Sequence, residues 1–188
     1  MNDTPDQKHH VASLLQRLEQ APDWKTPDLP ADLLQRLREF ATKVNAPAQD
    51  SATSVDGATN ADRVVYFAGP NSPEKVKAAQ FLAHELGSDL FRVNTNNVVS
   101  HYIGETEKNL TTIFSGGRDS GAILLFDEGD ALFGKRSEVK DSHDRYANVK
   151  PAQLINLAGA RQGVTIFACE TPIADSDQFG LVVNFPVT

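Results

Sequence analysis

The chain contains one cysteine, one tryptophan and one methionine among its 188 residues. With Cys169 alone, no intrachain disulfide can form, and a reducing compartment suits the chain best, so the expected location is the cytoplasm. Positive charge is also scarce: 18 Lys and Arg stand against 25 Asp and Glu, a net charge of −7. This balance opposes nonspecific attraction to nucleic acid or to an anionic membrane, and leaves proteins and small molecules as partners. No apolar run approaches the roughly 20 residues that cross a bilayer. The N-terminal stretch MNDTPDQKHHVASLLQ lacks the apolar run of a signal peptide. His9, His10 and His143 have no companions at metal-ligand spacing and read as solvated.

Hydrophobic residues make up 40% of the chain and charged residues 23%, enough to bury the core of one domain with a short appendage. The first sixty residues differ in texture from the rest. VASLLQRLEQ (11–20) carries apolar residues at 11, 14, 15 and 18, and LPADLLQRLREFATKV (29–44) at 33, 34, 37, 40, 41 and 44. Both spacings predict helices, the second with Pro30 in its first turn. Residues 1–44 are therefore expected to form a helical segment, serving as an interaction module or packing on the core. The small, polar stretch that follows, 45–62, reads as a flexible linker.

From residue 63 to 188 the pattern is strand, turn, helix, repeated. RVVYFAG (63–69), DLFRVN (89–94), GAILLFDEGD (121–130), GVTIFACE (163–170) and LVVNFP (181–186) read as strands. Helices are expected over 73–87, 105–117 and around 152–159, the first with Pro73 at its start and Gly87 at its end. Five strands interleaved with helices predict an α/β fold, a three-layer sandwich around a mainly parallel sheet.

Two stretches suggest chemistry. GPNSPEKVK (69–77) lies between a strand and a helix, where a phosphate-binding loop G-x-x-x-x-G-K-[ST] would lie. Such a loop surrounds phosphates with backbone N–H groups, reaches them with its lysine and holds Mg²⁺ with its hydroxyl. ILLFDEGDALFGKR (123–136) places Asp127 and Glu128 at the C-terminal end of a central apolar strand. There an Asp can hold Mg²⁺ and a Glu can activate water. Two carboxylates in an ordinary strand-end loop are the plainer alternative.

These residues, together with SHYIGETEKNLTTIF (100–114), the longer block LLFDEGDALFGKRSEVKDSHDRYAN (124–148) and the strand TIFACE (165–170), resemble the core of an AAA+ ATPase over 63–186. Within that superfamily the resemblance is to the bacterial branch associated with phage-tail-like contractile injection systems. The resemblance implies a P-loop NTPase-like sheet ordered 5-1-4-3-2, here preceded by two short helices. It also implies ATP with Mg²⁺, ring assembly and the remodelling of protein partners. The chain stops at Thr188, where the family's helical lid would begin, so no C-terminal lid is expected.

Carried over residue by residue, the resemblance keeps Gly69 and Lys75 as phosphate-loop positions, and Asp127 (metal) with Glu128 as the acidic pair. It also departs from the family. The loop's inner glycines fall at Ser72 and Glu74 and its hydroxyl at Val76, while Pro73 has no N–H to offer. Glu74 brings negative charge to the phosphate position. The polar sensor residue falls at Glu170, and in ADSDQFGLVVNFP (174–186) Phe179 runs into the last strand where paired finger arginines would stand. Each lost charge-assisted hydrogen bond is worth roughly 1.5–3 kcal/mol. A missing arginine finger costs about 10³–10⁵ in rate in related hydrolases.

The expectation is thus a degenerate domain, a non-hydrolysing binding or regulatory subunit with no cofactor. Its partner would be a protein, for which an active AAA+ protein is one candidate, and it would be a monomer or small oligomer. In that setting Lys75 is expected to pair with the inherited carboxylates. The alternative is an ATP-binding remodeller, or a switch that binds ATP or ADP with Mg²⁺ without hydrolysis. Tyr102, Ile103 and Gly104 match the aromatic–apolar–Gly signature of a substrate-gripping pore loop, and equally suit a turn before helix 105–115.

Overall fold

The computed structural model describes residues 14–19, 28–46, 61–70, 72–99, 104–116, 121–133, 151–173 and 176–186. In chain order the elements are β1 (Leu15–Leu18), α1 (Ala31–Asn45), β2 (Val64–Ala68), α2 (Pro73–Leu86), β3 (Leu90–Val93) and α3 (Thr95–Val98). They continue as α4 (Glu105–Gly116), β4 (Ile123–Phe126), α5 (Asp130–Phe133), α6 (Pro151–Gly159), β5 (Thr165–Cys169) and β6 (Leu181–Asn184).

All five residues of β2, VVYFA, are buried, as are all five of β5, TIFAC. A strand apolar on both faces must be covered on both, and that is what produces the three layers. Val64, Tyr66 and Ala68 join one cluster with Leu110, Ile113 and Leu154 from α4 and α6. Val65 and Phe67 join the other, with Leu37 and Phe40 of α1 and Ala78, Phe81 and Leu82 of α2. The α2 helix begins at Pro73 and ends at Gly87, whose φ of 60° lets the N–H of Ser88 reach the carbonyl of Ala83.

The sheet has six strands in the order β1-β3-β4-β5-β2-β6. Its five parallel members, read from β6 to β3, follow the expected 5-1-4-3-2 order. The sixth is a correction. Residues 15–18, expected within a helix over 11–20, form a strand antiparallel to β3, with Leu15 opposite Val93 and Leu18 opposite Leu90. Without it β3 would leave its outer N–H and C=O groups unpaired at the sheet edge. Asn94 N–H extends the ladder to Leu14 O at 2.9 Å, and Arg17 meets Asp89 at 2.7 Å. Four apolar residues at helical spacing were too short a signal to outweigh that edge. The second expected helix is present as α1. Residues 47–60 of the expected linker lie outside the described residues, and Ala61–Arg63 form a 3₁₀ turn leading into β2.

At the N-terminal ends of the strands a buried cation does the joining. Arg161 is 3% exposed and donates to Ala122 O (2.9 Å), Val164 O (3.4 Å) and Thr165 Oγ1 (3.3 Å). Burial pulls the guanidinium down to about 10, so it stays charged at neutral pH. The variant Arg161→Met leaves buried acceptors without a donor, and urea unfolding is expected to show a loss of about 2–3 kcal/mol. A loss within about 0.5 kcal/mol, the range of an ordinary surface change, would contradict this role.

Candidate functional site

The C-terminal ends of β2, β3, β4 and β5 converge on one cleft, the position where open α/β sheets place their ligands. Gly69 follows β2 with φ 123°, and a Cβ there would come within 2.3 Å of Phe185 O. Only glycine fits both demands. Its N–H donates to Cys169 O at 3.1 Å, which ties the start of the loop to the end of β5. Ser72 is extended at the start of α2, and Pro73 and Glu74 occupy the first turn. Hydrogen bonds from Ser72 and from its own backbone N–H hold the Glu74 carboxyl below the usual range, as expected of an acid at a helix N-terminus.

Lys75 is 2% exposed, and its Nζ donates to Gly69 O at 2.6 Å and to Cys169 O at 2.8 Å. The expected pairing of Lys75 with carboxylates is therefore corrected: its partners are two main-chain carbonyls. The reason is reach and burial, because the first turn of α2 lies directly under the ends of β2 and β5. Burial lowers the Lys75 pKa, and the nearby charges of Asp130, Asp127 and Glu170 only partly offset this.

Asp127 closes β4 and is 6% exposed. Its Oδ2 accepts from Arg92 Nη2 at 2.5 Å, its Oδ1 from Glu128 N–H at 3.1 Å, and its carbonyl from Thr95 Oγ1 at 3.0 Å. Glu128 is exposed and adopts φ 57°, a left-handed conformation that a non-glycine residue enters at a cost of roughly 1–2 kcal/mol. Gly129 then binds back to β5 through its N–H to Ala168 O at 2.8 Å. The Asp130 carboxylate accepts from the N–H groups of Glu170 (2.7 Å) and Thr171 (3.2 Å). Burial pushes the neighbouring Cys169 thiol up to about 12, so Cys169 is a core residue and not a nucleophile at neutral pH.

Two adjoining cavities of about 320 Å³ open here. One is lined by Lys75, Asn96, Glu128, Asp130 and Glu170; the other by Arg92, Asn94, Thr95, Asn96, Asp127 and Glu128. The fold thus brings Gly69, Lys75, Asp127, Glu128 and Glu170 to one place. Gly104 stands before α4 at φ 77°, while Tyr102 and Ile103 lie outside the described residues. Arg92, Thr95, Asn96 and Asp130 escaped the sequence reading. Arg92 had left a trace, as the one charged residue within the strand LFRV.

With this geometry in view, the comparisons with known proteins are specific. The profile of the ATPase family associated with various cellular activities (AAA) matches residues 65–175, more than half of the chain. The chain belongs to the AAA ATPase family. An uncharacterized AAA family ATPase of Sinorhizobium fredii, y4kL, is 40% identical over 72 residues, covering 38% of this chain and 22% of its own. The peroxisomal ATPase PEX6 of Pichia angusta is 31% identical over 107 residues, 55% of this chain and 9% of its own. The chain thus spans less than a quarter of either relative's length. Among solved structures, a HORMA:CdnC:Trip13 complex from E. coli MS115-1 aligns with TM-score 0.64 at 15% identity, over 93% of this chain and 70% of that one. The FIGL-1 AAA domain in complex with ADP aligns with TM-score 0.63 at 17% identity, over 100% and 64%. These two likenesses establish the fold.

The buried Lys75 ammonium generates a pH test. Its folded pKa lies below the unfolded value of about 10.4, so between the two the unfolded chain binds more protons and stability rises with pH. Lys75→Met lacks this contribution. The stability of the wild type relative to that variant should therefore grow from pH 7 towards pH 10, followed by urea unfolding at each pH. If a carboxylate held Lys75 charged, the difference would shrink instead.

Proposed function

We propose that this chain is a AAA-family core domain that does not hydrolyse ATP, and that it works as a binding or regulatory subunit for a protein partner. One observation carries the reading: the Lys75 ammonium, which would have to face a phosphate, is spent on the carbonyls of Gly69 and Cys169 inside the protein. The loop around it adds to the case. Pro73 has no N–H, Glu74 repels phosphate, Val76 cannot ligate a metal, and Glu170 lines the same cavity as Lys75. Magnesium fits no better, since the charge of the Asp127 carboxylate is already paired with the Arg92 guanidinium. We therefore assign the domain no cofactor, and read Gly69, Lys75, Asp127 and Glu128 as framework inherited from a nucleotide site.

The partner class follows from the surface charge and the relatives. A net charge of −7 disfavours nucleic acid. No helix among the described residues is long and apolar enough to cross a membrane. The structural neighbour in the HORMA:CdnC:Trip13 complex is, by its name, found with other proteins. An active AAA+ protein is a fitting partner for a subunit without phosphate ligands or finger arginines, itself a monomer or small oligomer. A second reading, a domain that binds nucleotide without turnover, is favoured by the convergence of Lys75, Asp127 and Glu128 at one cleft and by the ADP complex of the FIGL-1 domain.

Thermal melting with millimolar Mg–ATP separates the two. A ligand at 100 times its dissociation constant would add about 2.7 kcal/mol, a plain rise in Tm; the expected result is no rise. A clear rise would overturn the proposed reading. A rebuilt loop carrying Asn71→Pro, Ser72→Gly, Pro73→Thr, Glu74→Gly and Val76→Thr is expected to gain ATP affinity by presenting amides at the start of α2, yet to release no phosphate. Rapid phosphate release from the rebuilt protein would mean that the rest of the site is intact.

A further inference from the structure

A carboxylate as deeply buried as that of Asp127, whose side chain is 7% exposed, needs a cation beside it. The obvious cation within the fold, Lys75, is committed elsewhere, to Gly69 O and Cys169 O. The charge comes from the neighbouring strand. Arg92 stands on β3 opposite Leu125 of β4, and its Nη2 reaches Asp127 Oδ2 at 2.5 Å. The other carboxylate oxygen is held by Glu128 N–H. We infer that Arg92 is the resident cation of this cleft, a built-in substitute that keeps a divalent metal ion off Asp127. The inference rests on the proposed reading of the cleft as inactive.

The chemistry of exclusion is simple. Guanidinium and a hard divalent cation compete for the same anionic oxygens, and the guanidinium has the advantage of being tethered. Among the described residues no group of three or more His, Cys, Asp or Glu side chains could hold a metal ion, so a divalent ion here would depend on the Asp127 carboxylate that Arg92 occupies. The guanidinium lines an open cavity of about 320 Å³ together with Asn94, Asn96, Asp127 and Glu128, so its removal leaves a space bordered by two carboxylates and two amide residues. One or two carboxylates with water completing the shell is a donor set that Mg²⁺ and Mn²⁺ accept. The affinity should be modest, in the millimolar range expected of so few charged ligands. The side chain of Arg92 is 43% exposed, so its loss leaves the cleft accessible to water and ions.

The test uses MnCl₂ without nucleotide, followed by thermal melting and by the loss of the free-Mn²⁺ electron paramagnetic resonance signal. Wild type is expected to show neither binding nor a change in Tm at 10-millimolar order. Arg92→Met should melt below wild type in chelator, bind Mn²⁺, and recover several degrees as Mn²⁺ is added. Arg92→Met combined with Asp127→Asn should lose both responses. If the Met variant does not fold, Arg92→Gln keeps a donor for Asp127 while dropping the charge, and should likewise acquire Mn²⁺ binding. Wild type binding Mn²⁺ as well as the variants, or folded variants indifferent to Mn²⁺, would overturn the inference. An ATP-induced rise in the wild-type Tm would instead overturn the functional reading and leave the Mn²⁺ result standing.

Discussion

A parallel sheet buried on both faces leaves the main-chain groups at its strand ends to be satisfied by something other than water, and much of this molecule follows from that constraint. At the N-terminal ends the donor is Arg161, which reaches across the starts of β4 and β5. At the C-terminal ends the work is shared. Lys75 donates to carbonyls after β2 and β5, Asp130 accepts from the N–H groups after β5, and Thr95 donates to the carbonyl after β4. Charged side chains thus stitch strand ends together at both edges of the core.

This use of Lys75 bears on chemistry, because an ammonium has three donors and two of them are held by carbonyls inside the protein. A phosphate at the same spot would have to compete with contacts that also hold β2 to β5. The surroundings make that competition harder. Glu128, Asp130 and Glu170 line the cleft beside Lys75, and the positive charge of Arg92 is directed at Asp127. Of the two cations at the cleft, Lys75 is held by carbonyls and Arg92 by the Asp127 carboxylate.

The fold was largely legible in the sequence because its signals were long or doubled. The runs VVYFA, ILLF and TIFAC are apolar on both faces, which in a chain of alternating elements requires a parallel sheet. Pro73 and Gly87 bracket α2 by their own backbone limits. The strand at Leu15–Leu18 was not legible: LQRL carries no strand pattern of its own, and it is extended because β3 has an open edge beside it. That need belongs to the assembled sheet and cannot be seen from residues 11–20.

The site divides in the same way. Its residue types were set by the sequence alone: glycine at 69, lysine at 75, adjacent acids at 127 and 128, and proline, glutamate and valine on either side of Lys75. Gly69 is fixed by its φ of 123° and the closeness of Phe185 O, both consequences of one strand leading into one loop. Which charge meets which was decided by tertiary structure. Arg92 and Asp127 are 35 positions apart and become neighbours only because β3 and β4 pair in register, while Lys75 finds the carbonyl of Cys169 94 positions away because β5 inserts beside β2. The physical reason is that composition supplies charges, but their partners are chosen by short distances and burial, and those exist only once the strands have taken their order.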